Sequence, residues 1–282
     1  MTMTDVYAVF GNPIAHSKSP MIHAAFARQT GQDMVYSAVL APLDGFQAAV
    51  AEFRAAGGRG ANVTVPFKEQ AYALATRHTP RAQAAGAVNT LHFGAGGLLG
   101  DNTDGAGLVR DLVDNLGLAL AGKRLLLMGA GGAARGVILP LLEQQPASVF
   151  IVNRTPDKAI ALATTMAAAS TPTACAPGSG GSQLSGGGYA DLAGEFDLVI
   201  NATAASLTGD LPPLPAGVFA PDALAYDMMY GQDTPFLAFA RTQGARTADG
   251  LGMLVEQAAE AFWLWRNVRP DTAPVIELLR SA

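Results

Sequence analysis

The sequence predicts an α/β fold with mainly parallel sheets. Short β-rich runs alternate with helical patterns along the 282-residue chain, and such alternation is typical of βαβ units. Uninterrupted apolar runs such as RLLLMG, which begins at Arg124, suit strands that are covered by helices on both faces. A glycine-rich turn then joins this run to an apolar helical segment, as at the start of a βα unit.

The predicted elements follow one another in two series. The first series alternates the strand-like runs VYAVFG, MVYSAVLA, ANVTVP and AVNTLHF with the helical segments PMIHAAFARQTG and LDGFQAAVAEFRAAGG. The second series contains the strand-like runs RLLLMGA, SVFIVNR, FDLVINAT and ALAYDMMY. Residues 170–188, rich in Gly, Ser and Pro, predict a loop within the second series, because the alternation resumes after them. The polar turn residues of GDNTDGAGL, from Gly100, mark a better domain boundary.

Charge and composition restrict the partners of the chain. Its net charge is −5, and it has no cluster of Lys and Arg to bind nucleic acid. No apolar run reaches the roughly 20 residues of a membrane span, and MTMTDVYAVFG lacks the features of an export signal. The only cysteine, Cys175, cannot form an intrachain disulfide, and the four histidines offer no metal site. We expect a cytoplasmic protein without a metal, nucleic-acid or membrane partner.

The stretch GNPIAHSKSPMIH, from Gly11, contains a predicted helix start. Ser19 fits the N-cap, Pro20 the first helical position and Gly31 the stop. This interpretation accounts for Ser19 but leaves Ser17 unexplained.

RLLLMGAGGAARGVILPLL predicts a strand, a glycine turn and a helix in direct succession. Gly129, Gly131 and Ala134 occupy the three positions of the G-x-G-x-x-G/A pattern. The first position permits a tight turn, the second lets a pyrophosphate approach the backbone, and the third keeps helix and strand close. Since the helix N-terminus also offers free N–H groups, the pattern predicts a Rossmann dinucleotide-binding unit. A turn with a purely structural role is the alternative.

The end of the following strand indicates which dinucleotide binds. The tip carries Asn153, Arg154 and Thr155, with Lys158 one helical turn beyond Arg154. Two cations and neutral donors suit the 2′-phosphate of NADP, whereas an NAD-binding chain usually has a carboxylate at this tip. The alternative is that Thr155 and Pro156 only begin a helix and that Arg154 is solvated.

Three polar residues of the first half are candidates for catalysis. Pro66 fits a first helical position, so Lys68 falls in the opening turn, where the helix dipole disfavours a cation. Asn89 and Asp104 follow predicted strands, at the ends where α/β folds bind ligands. The alternatives are an exposed lysine, a turn asparagine and an aspartate that caps a helix. Spacing alone leaves open whether Lys68 and Asp104 meet.

Taken together, these motifs resemble those of the shikimate dehydrogenase family, NADP-dependent enzymes that reduce 3-dehydroshikimate in aromatic amino-acid biosynthesis. The resemblance covers nearly the whole chain. The motifs that carry it, in family order, are FGNPIAHSKSPMIH, GANVTVPFKE, AGAVNTL, GDNTDG, GAGGAARG, NRTPDKA, INAT, YDMMY and DGLGMLVEQAAEAFWLW.

The resemblance implies a fold with two domains. Residues 1–104 would form a substrate domain with a mainly parallel α/β sheet, completed by a C-terminal helical segment at 251–282. Residues 105–250 would form a Rossmann domain that binds NADP. In the C-terminal segment we expect Phe262, Trp263 and Trp265 to pack as core.

The resemblance also assigns roles to residues. Ser17 and Ser19 would hold the substrate carboxylate with Tyr230 nearby, and Lys68 with Asp104 would form the catalytic pair. The residues implied around the ring hydroxyls are Thr64, Lys68, Asn89, Asp104 and Gln257. The residues implied on the nucleotide side are Gly129, Ala130, Gly131, Gly132, Ala133, Asn153, Arg154, Thr155, Lys158, Thr203, Met228 and Gly250.

Some positions depart from the pattern of the family. Lys158 stands where arginine is common, and Ala204–Ala205 stands where hydroxyl residues are frequent.

The nearest rival function is a quinate/shikimate dehydrogenase with broader use of substrate and cofactor. A non-catalytic sensor would be expected to lack Lys68 or Asp104, and a ligand-free structural module would leave the polar strand ends unexplained. The state of assembly expected is a monomer or a homodimer.

Overall fold

The computed structural model describes residues 4–169, 182–203 and 209–281. It divides into two compact units, one of Met1–Gly107 with Leu254–Ala282 and the other of Leu108–Met253. We call these unit 1 and unit 2. Of the helices within the described ranges, none has the length and apolar character needed to cross a bilayer.

Unit 1 is built on a single sheet covered by helices. Its strands are β1 (Asp5–Gly11), β2 (Met34–Leu40), β3 (Gly58–Val63), β4 (Arg77–His78), β5 (Thr90–Gly94) and β6 (Gly97–Asp101). Counting the described residues, the sheet has six strands in the order β2-β1-β3-β5-β6-β4. Its helices are α1 (Ser19–Thr30), α2 (Phe46–Ala55), α3 (Lys68–Leu74), α4 (Pro80–Ala85), α5 (Asp104–Arg110, which continues into unit 2), α9 (Leu251–Arg266, which begins in unit 2) and α10 (Ala273–Arg280).

The sheet of unit 1 is mainly parallel, as predicted, but it contains an antiparallel hairpin. β5 pairs antiparallel with both β3 and β6, whereas β1, β2 and β3 pair in parallel. The sequence interpretation missed β6, since GLLGD is short and runs directly into a polar motif. The hairpin brings the end of β6, and with it the start of α5, beside the beginning of β5.

Helix α9 packs on the sheet of unit 1 through its aromatic side chains. The Trp265 ring stacks on Tyr7 with centroids 4.7 Å apart, and its Nε1–H donates to the Leu91 carbonyl at 3.0 Å. A Cβ at Gly60 would lie 2.5 Å from Trp265 Nε1, so glycine there makes room for the indole. Phe262 and Trp265 are core residues as expected, but Trp263 is 43% exposed and lies near the Arg269 guanidinium. The expectation for Trp263 was therefore wrong, because this position falls on the outer face of the helix.

Unit 2 is built on a second sheet, with parallel pairing throughout its described residues. Its strands are β7 (Arg124–Met128), β8 (Ser148–Val152), β9 (Gln183–Gly187), β10 (Phe196–Asn201), β11 (Phe219–Asp227) and β12 (Arg246–Asp249). These six lie in the order β12-β11-β10-β7-β8-β9. The further helices are α6 (Gly132–Glu143), α7 (Pro156–Ala169) and α8 (Pro235–Thr242). Parallel strands joined by helices are the arrangement that the alternation predicted.

The glycine-rich stretch at residues 170–188 is not a loop throughout. Its C-terminal part forms β9, which pairs with β8, and residues 170–181 lie outside the described residues. A Cβ at Gly186 would lie 2.4 Å from the Ala159 carbonyl of α7. Glycine is needed in this strand because a helix backbone packs directly against it. Composition alone did not distinguish this use of glycine from a loop.

Candidate active site

Ser17 and Ser19 lie at the N-terminal end of α1, just beyond β1. The helix begins at Ser19 itself, and Lys18 occupies the cap position without a capping side chain. The Ser17 hydroxyl accepts a hydrogen bond from the Ser19 backbone N–H at 3.3 Å. The prediction that Ser19 is the N-cap was wrong, because Ser19 is already part of the helix and its backbone N–H is bound by the Ser17 hydroxyl. The predicted stop is confirmed, since Gly31 adopts a left-handed φ of 65°.

Lys68 is the first residue of α3, with Phe67 at the cap position. Pro66 precedes the helix and does not open it as predicted, but Lys68 still lies in the first turn. Its Nζ donates to Asp104 Oδ2 at 2.6 Å, and the two side chains are 30% and 5% exposed. The ammonium is thus reachable from solvent, while the carboxylate that binds it is buried.

Asn89 engages the second oxygen of Asp104. Its Nδ2 donates to Asp104 Oδ1 at 2.8 Å and lies 3.0 Å from Gln257 Oε1 of α9. Its Oδ1 accepts from the Thr103 backbone N–H at 2.9 Å, which fixes the orientation of the amide. Asn89 is buried, so it is part of a polar cluster and not an exposed turn residue. The structure therefore brings together four predicted residues, Lys68, Asn89, Asp104 and Gln257.

Thr64 lies between β3 and α3, half-buried. Its backbone N–H donates to the Phe10 carbonyl at 2.9 Å, and its own carbonyl accepts from Phe67 N–H at 3.0 Å. The segments that hold Thr64, Lys68 and the two serines thus follow the carboxyl ends of the parallel strands β1 and β3. Parallel α/β sheets bind ligands at this edge.

The glycine turn of unit 2 has the conformation that its pattern predicts. Gly129 has a φ of 108°, and a Cβ there would lie 3.0 Å from the Ala202 carbonyl. A Cβ at Gly131 or Gly132 would meet nothing within 4 Å, so the backbone at the start of α6 has an open side. Ala134 is fully buried. A pyrophosphate fits this turn, because its N–H groups are open to approach and the dipole of the 12-residue helix α6 attracts it.

The predicted 2′-phosphate residues lie between β8 and α7. Asn153 Nδ2 donates to the Thr155 carbonyl at 3.1 Å, which orders the tip of the strand. Arg154, Thr155 and Lys158 are exposed. Arg154 and Lys158 are therefore free to contact an anion from solvent, and the tip has the charge that NADP requires.

The other predicted nucleotide residues follow β10, β11 and β12. Thr203 Oγ1 donates to Asn201 Oδ1 at 2.7 Å. Met228 follows the last residue of β11, and a Cβ at Gly250 would lie 2.3 Å from its carbonyl. Tyr230 is half-buried, and burial raises the pKa of its phenol. Ala204–Ala205, where the sequence departs from the family pattern, lies outside the described residues.

Comparisons with known proteins identify the family. Three family models match the chain. The model of the shikimate dehydrogenase substrate binding domain matches residues 9–91, that of shikimate / quinate 5-dehydrogenase matches residues 111–177, and that of the shikimate 5'-dehydrogenase C-terminal domain matches residues 250–280. The shikimate dehydrogenase (NADP(+)) of Nitrosospira multiformis is 65% identical over 99% of this chain and 98% of its own. The chain belongs to the shikimate dehydrogenase family.

Solved structures agree with this membership. An Ael1 enzyme from Pseudomonas putida is 50% identical, with a TM-score of 0.89 and 98% of each chain covered. The shikimate 5-dehydrogenase of Thermus thermophilus, solved with NADP(H) and shikimate, is 36% identical, with a TM-score of 0.80 and 98% and 99% of the chains covered. The α/β fold predicted from the sequence is that of shikimate dehydrogenases.

Sequence reasoning missed two polar residues beside the Lys68–Asp104 cluster. Asn62 lies on β3, and its Nδ2 donates to the Asn89 carbonyl at 3.2 Å and to Thr90 Oγ1 at 3.0 Å. The Tyr36 hydroxyl donates to Asn62 Oδ1 at 2.7 Å. A signal for Asn62 existed, since an amide in the apolar run ANVTVP requires a partner when it is half-buried.

The described residues around the histidines offer no metal site. Among the residues that the structure describes, no three His, Cys, Asp or Glu side chains are grouped so that they could hold a metal ion. His23 is fully buried, and desolvation lowers its pKa to about 3, against a smaller opposite effect of Asn62. The His23 ring is therefore neutral at ordinary pH and stacks on Tyr36, with ring centroids 4.1 Å apart.

Proposed function

We propose that this protein catalyses the reversible, NADP-dependent reduction of 3-dehydroshikimate to shikimate, a step of aromatic amino-acid biosynthesis. The observation that carries the proposal is the Lys68–Asp104 pair, held by Asn89 at the ligand-binding edge of the unit 1 sheet. Family membership supports the same reaction, since the relatives bear the name shikimate dehydrogenase (NADP(+)).

Lys68 and Asp104 form the catalytic pair of this proposal. Bound NADPH supplies the hydride to the carbonyl carbon, and NADP⁺ takes it back in the oxidation of shikimate. The Lys68 ammonium donates a proton to the oxygen that becomes the hydroxyl, and in the reverse direction the amine takes that proton up. Asp104 orients the ammonium through the 2.6 Å hydrogen bond and also binds a neighbouring substrate hydroxyl.

The substrate carboxylate binds at the start of α1, and the family resemblance assigns Tyr230 to the same ligand. Ser17 and Ser19 offer neutral hydroxyl donors, and the positive end of the 12-residue helix supplies the electrostatic attraction. Thr64, Asn89 and Gln257 surround the ring hydroxyls. This assignment is supported by the contacts of Asn89 with both Asp104 and Gln257.

NADP binds to the second part of the chain. We assign residues 1–104 with 251–282 to substrate and residues 105–250 to the nucleotide. The turn Gly129–Ala133 holds the pyrophosphate, and Asn153, Arg154, Thr155 and Lys158 hold the 2′-phosphate. Thr203, Met228 and Gly250 line the rest of the nucleotide site. The exposed cations at the tip of β8 and the open turn before α6 support this assignment.

We also propose a cytoplasmic location and a monomer or homodimer. A reaction that consumes NADPH needs access to the intracellular pool of that cofactor. The net negative charge of the chain and its single cysteine are consistent with such a compartment. Sedimentation equilibrium of the purified protein distinguishes the two states of assembly, and a larger oligomer contradicts both.

The decisive test is the initial rate of NADPH formation from shikimate. We expect turnover with NADP⁺ and shikimate and much slower turnover with NAD⁺ or with quinate. Comparable rates with NAD⁺ or quinate would reassign the protein to the broader quinate/shikimate activity. If no pair of substrate and cofactor is turned over, the protein is not a dehydrogenase of this class, and equilibrium dialysis against NADPH and shikimate then tests a binding role.

A further inference from the structure

Arg81, in the first turn of α4, joins two segments of unit 1 that are far apart in the sequence. Its Nε–H donates to Asp101 Oδ1 at 2.7 Å, and one of its amino groups donates to Oδ2 of the same carboxylate, at the end of β6. Its other amino group donates to Glu260 Oε1 on α9 at 3.0 Å. The proposed function assigns no part to these three residues.

The segment that Arg81 binds on the β6 side carries Asp104. The Asn102 backbone N–H donates to Asp101 Oδ1 at 2.7 Å, and Asn102 Oδ1 accepts from the Asp104 backbone N–H at 3.1 Å. The Asp101 carbonyl accepts from the Asn89 backbone N–H at 3.0 Å. Asp101 is therefore tied to the backbone of both Asn89 and Asp104.

The segment on the other side of Arg81 is α9, which carries Gln257. Glu260 follows Gln257 at the i, i+3 spacing, so the two side chains lie one helical turn apart on the same face. Gln257 Oε1 accepts from Asn89 Nδ2 at 3.0 Å. The aromatic contacts of α9 begin at Phe262, farther along the helix. Arg81 thus binds α9 at the turn that follows Gln257.

The three charged groups are largely withdrawn from water. The side chains of Arg81, Asp101 and Glu260 are 27%, 1% and 9% exposed. Glu260 Oε2 accepts from Arg269 at 2.6 Å. Burial alone would raise the pKa of Glu260, but the hydrogen bond from Arg269 and the charge of Arg81 lower it overall, so the carboxylate is ionised at neutral pH. Charge-assisted and bidentate contacts of this kind fix the geometry of the groups that they join.

We propose that Arg81 is a positioning residue of the reaction. By holding Asp101 and Glu260 together, the guanidinium sets the distance between the start of α5 and the face of α9 that carries Gln257. A functional side chain must lie within about 0.5 Å of its productive place, and the apolar packing around α9 is non-directional. This inference rests on the proposed function, because it concerns the contact of Gln257 with the substrate.

The test replaces Glu260 by Gln, which keeps the shape of the side chain and leaves the Arg81–Asp101 pair intact. We expect KM for shikimate to rise by about threefold to tenfold, the equivalent of one hydrogen bond. The kcat and the KM for NADP⁺ should change by less than about twofold, because the lost contact binds only the substrate. Arg269→Gln is the matched control. It removes the other cation from the same carboxylate and leaves Arg81 in place, so both KM values should stay at those of the wild type.

A double-mutant cycle separates positioning from general loosening of the fold. In a Gln257→Ala background, Glu260→Gln should raise KM for shikimate no further, because the side chain that it positions is gone. Additive effects, an unchanged KM for shikimate in Glu260→Gln, or an equal rise in Arg269→Gln or in the KM for NADP⁺ would overturn the proposal.

A second variant covers the case in which Glu260→Gln fails to fold. Arg81→Lys keeps the charge but cannot bind the two oxygens of Asp101 and reach Glu260 as well. It should raise KM for shikimate in the same way, and an unchanged KM there contradicts the proposal. Absence of turnover in the wild-type protein instead refutes the proposed function.

Discussion

Lys68 occupies a position at which an ammonium group is electrostatically disfavoured. It opens α3, where the partial positive charge of the helix N-terminus lies. The buried Asp104 carboxylate offsets that repulsion, and Asn89 prevents the carboxylate from turning towards other partners. The arrangement keeps a proton donor partly exposed at a fixed place, which a surface lysine without a buried partner could not provide.

Replacing Lys68 by Ala should lower kcat by about 10²–10⁴-fold, the usual contribution of a positioned proton donor. KM for shikimate should change little, because the substrate keeps its other contacts. Initial rates with NADP⁺ and shikimate measure the effect. Lys123→Ala is the matched control, since Lys123 forms a pair with Asp197 at 2.9 Å on the surface of unit 2. Equal turnover in the two variants would remove Lys68 from the mechanism.

Arg154 should determine the preference for NADP over NAD. Arg154→Ala removes an exposed guanidinium next to Asn153 and Thr155, so the KM for NADP⁺ should rise about tenfold or more, the weight of a charge-assisted contact. The KM for NAD⁺, which has no 2′-phosphate, should stay the same. Arg241→Ala on α8, which breaks an exposed ion pair with Asp233, serves as the control. If the KM for NADP⁺ and the KM for NAD⁺ rise equally in Arg154→Ala, this side chain does not bind the 2′-phosphate.

At the scale of single elements, the glycines of the turn between β7 and α6 have two different roles. Gly129 needs glycine for its own backbone, whereas Gly131 has a φ of −88° that any residue can adopt. The space beside Gly131 is open within this protein. The pattern therefore combines one conformational glycine with one that leaves room for a ligand.

Gly131→Ala and Gly129→Ala should separate stability from nucleotide binding. Gly131→Ala should keep the wild-type melting temperature and bind NADPH at least about tenfold more weakly, because the new methyl group occupies the approach to the backbone. Gly129→Ala should lose roughly 1–3 kcal/mol of stability, since its φ of 108° strains an L-residue. Thermal unfolding and NADPH fluorescence titration measure the two effects. Unchanged NADPH binding in Gly131→Ala would place the pyrophosphate elsewhere.

Sequence patterns predicted the elements whose signal is local. The strand, turn and helix around Gly129 could be predicted, because the apolar run, the spaced glycines and the helix all lie within about 20 residues. β9 was missed because its glycines serve the packing of α7, and that contact joins distant segments. The cap of α1 was misassigned for a related reason, since Ser17 and Ser19 are both suitable residues and only the geometry shows which hydroxyl accepts.

At the scale of the whole molecule, the candidate site was predicted less completely than the fold. The positions of Lys68 and Asp104 were indicated by helix and strand ends, but only the family resemblance predicted that the two side chains form a pair. Gln257 lies 168 residues after Asn89, and only the family resemblance joined them. Tyr36 and Asn62 were not predicted, because their importance lies in hydrogen bonds between strands that a linear pattern does not specify.

The stability of the protein should fall in mild acid because of His23. Its pKa is about 3 in the folded state, below the usual 6.5, so between these values the unfolded chain binds a proton that the folded chain excludes. Lowering the pH from 7 to 5 should therefore cost the wild-type protein about 2 kcal/mol more than a His23→Phe variant. Urea denaturation at both pH values measures this difference. His16→Gln, at an exposed position, should retain the wild-type dependence. If wild type and His23→Phe lose the same free energy of unfolding between pH 7 and pH 5, the lowered pKa of His23 is contradicted.

The packing of α9 against β1 has a consequence for how the protein is made. Tyr7 and Gly60 precede unit 2 in the chain, whereas Trp265, which covers both, follows unit 2. At about 5–20 residues per second, the intervening chain takes on the order of ten seconds or more to translate. Unit 2 is continuous in sequence and is completed within that interval. During translation, the first part of unit 1 therefore presents an uncovered aromatic surface to the chaperones of the cell until Trp265 has been made.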